Sequence, residues 1–95
     1  MDESTQYLAE LRHVMHNNRK AGKLSIWTVY DHPKDYPRDF VARLHEADAR
    51  RSRPTRHVLV ANRIDTLRYV LCFDLGLTRL SRNTDDDAKI VETWL

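Results

Sequence analysis

Glycine, cysteine and long apolar runs are scarce in this chain, and each scarcity closes off a class of function. Gly22 and Gly76 are the only glycines in 95 residues, too few for a phosphate-cradling P-loop or a dinucleotide fingerprint, both of which need several within one loop. The single Cys72 excludes an intrachain disulfide and any multi-cysteine metal site, and so little cysteine fits a reducing, cytoplasmic compartment. No Gly-x-Ser-x-Gly elbow surrounds Ser4, Ser25, Ser52 or Ser81. The longest apolar runs, such as Val58-Leu59-Val60-Ala61, fall far short of a bilayer span. Met1-Asp2-Glu3 also lacks the cationic start of a signal peptide. The expectation is a chain with no membrane segment and no cofactor.

What is present suffices for one small core. A hydrophobic fraction of 41% argues against wholesale disorder, and 95 residues make a single domain, 1–95. Charge is unevenly spread. Residues 43–68 hold seven arginines against Glu46, Asp48 and Asp65, whereas 69–95 hold three bases against five acids. The net +2 therefore comes from a basic middle and an acidic end. Twelve of the sixteen basic residues are arginine, which favours bidentate pairing with carboxylate or phosphate over simple solvation.

Periodicity sets the elements. Tyr7, Leu8, Leu11, Val14 and Met15 form one stripe at 3.6-residue spacing, so roughly the first twenty residues read as a helix that Gly22 stops. Lys23–Asp31 switches to a period of two, with apolar side chains on both faces, and reads as a strand ended by Pro33. Phe40–His45 is a second strand, antiparallel to the first. Residues 46–56, with no apolar side chain larger than Ala, read as an exposed loop, followed by a short strand at His57–Val60. Asn62 is placed to cap a helix carrying Ile64, Leu67, Leu71 and Leu75, which Gly76 closes. Leu77–Leu80 is a short extended piece, Asn83–Asp87 an acidic turn, and Lys89–Leu95 a final alternating strand. The expected fold is α+β: two layers, a small, mostly antiparallel sheet with two helices packed on one face.

Trp27-Thr28-Val29-Tyr30-Asp31-His32-Pro33, Asp35-Tyr36-Pro37 and Phe40-Val41-Ala42-Arg43, with the ending Ile90-Val91-Glu92-Thr93-Trp94-Leu95, resemble a group of small uncharacterised proteins of proteobacteria and their phages. The resemblance covers about residues 26–45 and 75–95 and leaves the first helix outside it. It implies a bacterial or phage origin and brings no activity, ligand or catalytic residue with it.

Four clusters carry possible chemistry. Arg50, Arg51, Arg53 and Arg56 put four guanidinium groups in seven residues, enough to grip phosphates or an anionic partner, with Arg43 or His57 extending the patch and Tyr30, Tyr36 or Phe40 available for stacking. The competing reading pairs them with Glu46, Asp48 or the Asp85–Asp87 turn. Asp31, His32 and His45, with Asp35, are weak candidates for a metal or a general base, at a spacing that matches no metal motif and suits ordinary turn chemistry. His13 and His16 stand three apart on the first helix without a third ligand. Cys72 falls near a helix C-terminus, where the dipole disfavours thiolate, and reads as a packed or half-buried thiol.

The functional expectation is a non-enzymatic protein-interaction or regulatory module working through a sheet edge or the arginine segment. The alternative is a nucleic-acid-binding accessory protein acting through residues 50–56. Trp94 on a terminal strand adds a self-association route, if that strand lies at the sheet edge.

Overall fold

The computed structural model describes residues 3–80 and 88–95; the acidic turn Asp85–Asp87 lies outside them. Helix α1 spans Glu3–Lys20. Its end is a Schellman motif, with the Gly22 N–H on the carbonyl of Arg19 at 3.1 Å and the Lys23 N–H on that of Asn18 at 2.8 Å. The motif needs φ of +74° at Gly22, which a residue without Cβ adopts at no steric cost. Asn18, buried here, also donates from Nδ2 to the Ser25 hydroxyl, tying the helix end to the strand that follows.

Strands β1 (Leu24–Asp31), β2 (Phe40–Ala47) and β3 (Ser52–Ala61) form an antiparallel meander. Helix α2 (Ile64–Tyr69) runs into a π segment (Val70–Asp74), followed by β4 (Arg79–Leu80) and β5 (Ile90–Trp94). The five strands are ordered β3-β2-β1-β5-β4, and every pairing is antiparallel. The α+β class is as the periodicity indicates.

Strand alternation decides what each face does. Trp27 and Val29 of β1, Ala42 and Leu44 of β2 and Trp94 of β5 share one face and pack with Leu11 of α1 and with Leu67, Leu71 and Leu75 beyond β3. Both helices therefore lie on that face. Trp27 and Trp94 are direct cross-strand partners, and both are buried. The other face carries Leu24, Ile26, Thr28 and Tyr30 of β1 and Val41, Arg43 and His45 of β2; no helix covers it among the described residues.

Glu92 is a buried carboxylate, 4% exposed, on the helix-covered face opposite Val29. The Arg68 guanidinium of α2 donates to it from Nε and Nη2, each at 3.1 Å, Arg79 of β4 stands 3.6 Å away, and the indole N–H of Trp94 donates at 3.1 Å. The carboxylate in turn raises the Arg68 pKa above its ordinary value, chiefly through that hydrogen bond. A buried charge without such partners would be strongly destabilising.

Five expectations need correction. Residues 46–56 are not a loop: β2 runs on to Ala47 and β3 begins at Ser52, with Ser52, Arg53 and Pro54 in register with Ala47, Glu46 and His45. Backbone pairing recruits this polar segment into a strand, since it needs no apolar side chain to form a ladder. Asn62 is not the cap of α2; Arg63 is, without a side-chain hydrogen bond. The expected single helix over Ile64–Leu75 widens into a π turn, the Leu75 N–H bonding to the carbonyl of Val70 at 2.9 Å. Cys72 is exposed, not packed: Leu71 and Leu75 take the face turned to the core, and Cys72 and Phe73 lie outside it. Finally, β5 is not an edge strand, because β4 covers its outer side, so Trp94 belongs to the core and offers no pairing edge.

Candidate functional site

The β2–β3 hairpin turn is built by Asp48. Its Oδ1 accepts from the backbone N–H of Arg50 at 2.8 Å and of Arg51 at 3.1 Å, while its own N–H bonds to the carbonyl of Arg51 at 3.0 Å. This is Asx-turn chemistry. The two backbone donors hold the Asp48 carboxyl below its ordinary value, the Arg50 N–H contributing most. With the acid engaged by the backbone, the side chains of Arg50 and Arg51 are left exposed at the tip.

Arg53 sits two residues into β3, opposite Glu46 and 3.9 Å from its carboxylate. Arg56 lies further along, inside a bulge opposite Leu44, where the ladder skips from Val58 to Pro54. The bulge is internally satisfied: the Thr55 hydroxyl donates to the carbonyl of Leu44 and accepts from the His57 N–H, and Arg43 donates to the carbonyl of Thr55. Among the described residues, Arg50, Arg51 and Arg56 make no ion pair.

The structure adds cations that the arginine cluster in the sequence does not include. Leu24 pairs with Ala47, so the end of α1 and the start of β1 lie at the same end of the sheet as the hairpin turn. Lys23, Arg51 and Arg53 line one small cavity of about 70 Å³ together with Glu46, Ala47 and Asp48. Arg19 and Lys20, in the last turn of α1, close the helix at this end. A second, shallower cavity of about 320 Å³ runs along β3 from Glu46 and Arg53 to Arg56 and His57. Of the acids here, Glu46 faces Arg53 and Asp48 holds the turn.

The entry into β5 lies elsewhere. Ile90 pairs with Tyr30, close to the Asp31–Phe40 pair, so the chain enters β5 at the end of the sheet away from the hairpin.

The aromatic residues do not gather beside the arginines. Phe40 pairs with Ala61 at the far end of β3 and packs against the core. Tyr30 points its hydroxyl at His45 Nε2, 3.3 Å away. Tyr36 is half-buried in the 32–39 connection.

The Asp31, His32 and His45 set is not assembled either. His32 has φ of +49°, a conformation that is uncommon outside glycine. Its ring contacts the Asp31 carboxylate and stands edge-on to Phe40, centroids 5.1 Å apart. Lys89 donates to its carbonyl. His45 is in register with Ile26, near the other end of β1, and Asp35 instead pairs with Arg43. Burial, with Arg43 beside it, lowers the His45 pKa below its ordinary value. Among the described residues, no group of three or more His, Cys, Asp or Glu is arranged to hold a metal ion. His13 and His16 are both exposed on α1. Cys72 opens into a mainly apolar groove with Tyr69, Phe73 and Trp94, flanked by Asp65, Arg68 and Arg79.

No helix among the described residues is long and apolar enough to cross a membrane. Set beside known proteins, the chain matches no family model. A search of curated proteins finds no match, and a search of solved structures finds none.

Proposed function

We propose that this protein is a non-enzymatic interaction module that binds an acidic protein partner through the hairpin end of its sheet. The observation that carries the reading is the convergence of Lys23, Arg51 and Arg53 on one cavity, with Arg50 exposed at the tip and Arg19 and Lys20 at the adjoining helix end. Among the described residues, the acids lining that cavity are Glu46 and Asp48, and both are engaged. Clustered arginines favour bidentate contact with carboxylates, and a one-sided charge steers association.

Nucleic acid is the second reading, favoured by the exposed guanidinium groups of Arg50, Arg51 and Arg56, which make no ion pair among the described residues. It lacks the stacking platform of single-strand binders, because Tyr30, Tyr36 and Phe40 are engaged or sited elsewhere. Within the same proposal, the module works in a reducing cytoplasm, in keeping with an exposed, unpaired Cys72. A bacterial or phage origin follows from the resemblance of residues 26–45 and 75–95 alone.

The test is fluorescence anisotropy with labelled poly-glutamate, duplex DNA, single-stranded DNA and RNA, at low and at physiological salt. Binding of poly-glutamate that weakens on Arg50→Ala with Arg51→Ala supports the reading. Tighter, steeply salt-dependent binding of a nucleic acid, lost in the same variant, replaces it with the second. Flat traces with every probe discard both.

A further inference from the structure

We propose that this protein pairs with a second copy of itself through the outer surface of α2 and the π segment, in a two-fold contact centred on Tyr69 and Phe73. This surface is separate from the cationic hairpin end and independent of what binds there.

Among the described residues, Phe73 at 72% and Tyr69 at 59% are the most exposed large hydrophobic side chains. They are also neighbours, with ring centroids 5.0 Å apart. Single apolar residues on a surface are ordinary, whereas adjoining ones form a patch, and patches mark contact sites. Two shallow clefts flank the rings. One, of about 350 Å³, has Cys72, Phe73 and Arg79 in its wall, and the other, of about 510 Å³, has Arg63 and Val70. Tyr69 and Asp65 line both, so rings and charges belong to one continuous surface. Its floor is firm. Trp94 is buried beneath the first cleft, and Arg68 is held by two hydrogen bonds to the Glu92 carboxylate. A surface already fixed in place loses little freedom when it is covered.

Charge decides the occupant. Asp65 and Arg63 are both exposed, 3.9 Å apart, and Arg68 stands 3.7 Å from Asp65. Exposed pairs at such lengths contribute little, so these groups exchange partners at small cost. A uniformly acidic partner, or a nucleic acid, would set its own negative charge against Asp65. A uniformly basic one would meet Arg63 and Arg79. A second copy brings an acid and arginines around the same aromatic centre, and a two-fold axis repeats every contact, so Asp65 of each copy has an arginine of the other to meet. Aromatic side chains with arginine are also the enriched composition of interfaces.

The other surfaces suit a copy less well. At the hairpin end, Lys23, Arg50, Arg51 and Arg53 would face their own charges. Along β3 the Tyr7 hydroxyl occupies the N–H and the carbonyl of Val58, and Pro54 has no N–H to offer.

The experiment is sedimentation equilibrium of the full chain over a range of concentrations, with a thiol reductant present so that Cys72 forms no cross-link. A monomer–dimer equilibrium is expected, and Phe73→Ser should raise its Kd about tenfold or more. Asp65→Arg and Arg63→Glu should each weaken pairing, and an equimolar mixture of the two variants should regain it, the signature of a contact between copies. Leu24→Ser with Leu95→Ser, and Arg50→Ala with Arg51→Ala, lie elsewhere and should leave the Kd unchanged. Circular dichroism confirms that each variant folds. A chain that stays monomeric at every concentration overturns the proposal, as does a dimer that survives Phe73→Ser or a mixture that pairs no better than its components. Single-stranded DNA or RNA binding that is lost on Phe73→Ser, measured by anisotropy, assigns the patch to nucleic acid and also overturns it.

Discussion

The hydroxyl of Tyr7 donates to the carbonyl of Val58 at 3.1 Å and accepts from the N–H of the same residue at 3.2 Å. One helix side chain thus occupies both outward-facing backbone groups of an edge-strand residue, a position that would otherwise invite another chain. Burial raises the phenol pKa above its ordinary value, so the hydroxyl keeps its proton and can act in both directions.

Tyr7→Phe removes this plug while keeping the ring. The expected cost is about 1–2 kcal/mol, for two backbone groups that lose their partner. The variant should also associate as its concentration rises. Thermal unfolding and concentration-dependent light scattering check both, and a variant as stable and monodisperse as the parent would contradict the role.

The Glu92 network makes a second prediction. Among the described residues, Arg68→Ala leaves the buried carboxylate with Arg79 and the Trp94 indole, and should cost about 2–3 kcal/mol. Arg79→Ala, which removes the more distant partner, should cost less. Replacing Arg68 with Met and Glu92 with Leu together should recover most of the loss, because a matched apolar pair needs no compensation. Denaturant midpoints of the three variants decide the order.

His45 fixes the pH dependence on the open face. Its pKa is lowered in the folded state, so at mildly acidic pH the unfolded chain takes up the proton more readily. Stability should therefore fall as the pH drops below about 6.5, the ordinary histidine value, and the loss should level off once the folded imidazole also titrates. His45→Gln should flatten that part of the profile. Melting temperatures between neutral and mildly acidic pH provide the check, with NMR titration of the ring as the direct reading.

His32 supplies a fourth prediction. At φ of +49° a β-branched side chain is strongly disfavoured, whereas glycine and asparagine fit. His32→Val should destabilise by about 1–2 kcal/mol and His32→Gly by much less. A reversed order would mean that the contacts with Asp31 and Phe40 outweigh the backbone.

The sequence carried the elements whose own side chains dictate them. The stripe from Tyr7 to Met15, the alternation through Trp27 and the Phe40 strand reappear as α1, β1 and β2. What it hid depends on partners far along the chain. Ser52-Arg53-Pro54-Thr55 carries no apolar signal, and it is a strand because β2 lies beside it. The π turn at Val70–Asp74, between the buried Leu71 and Leu75, is announced by no local pattern. Glu92 was legible in principle: alternation with Trp94 places it on the inner face, and an acid there demands a cation. The four arginines were visible at once, yet the meeting of Arg51 and Arg53 with Lys23, away from the stacking aromatics, emerged only with the register.

The position of β1 at the middle of the sheet shapes how the protein must assemble. β1, β2 and β3 are neighbours in sequence and can zip together through short connections, but the far side of β1 waits for a strand contributed from the opposite end of the polypeptide. Closing that long loop carries the larger entropic penalty, so it belongs to the late stage of folding. Trp27 and Trp94, the only two indoles in the chain, meet across that late junction. Their emission is a built-in clock for its closure: in a stopped-flow refolding trace, far-ultraviolet ellipticity from helix and meander rises first, and the fluorescence change follows when β5 docks.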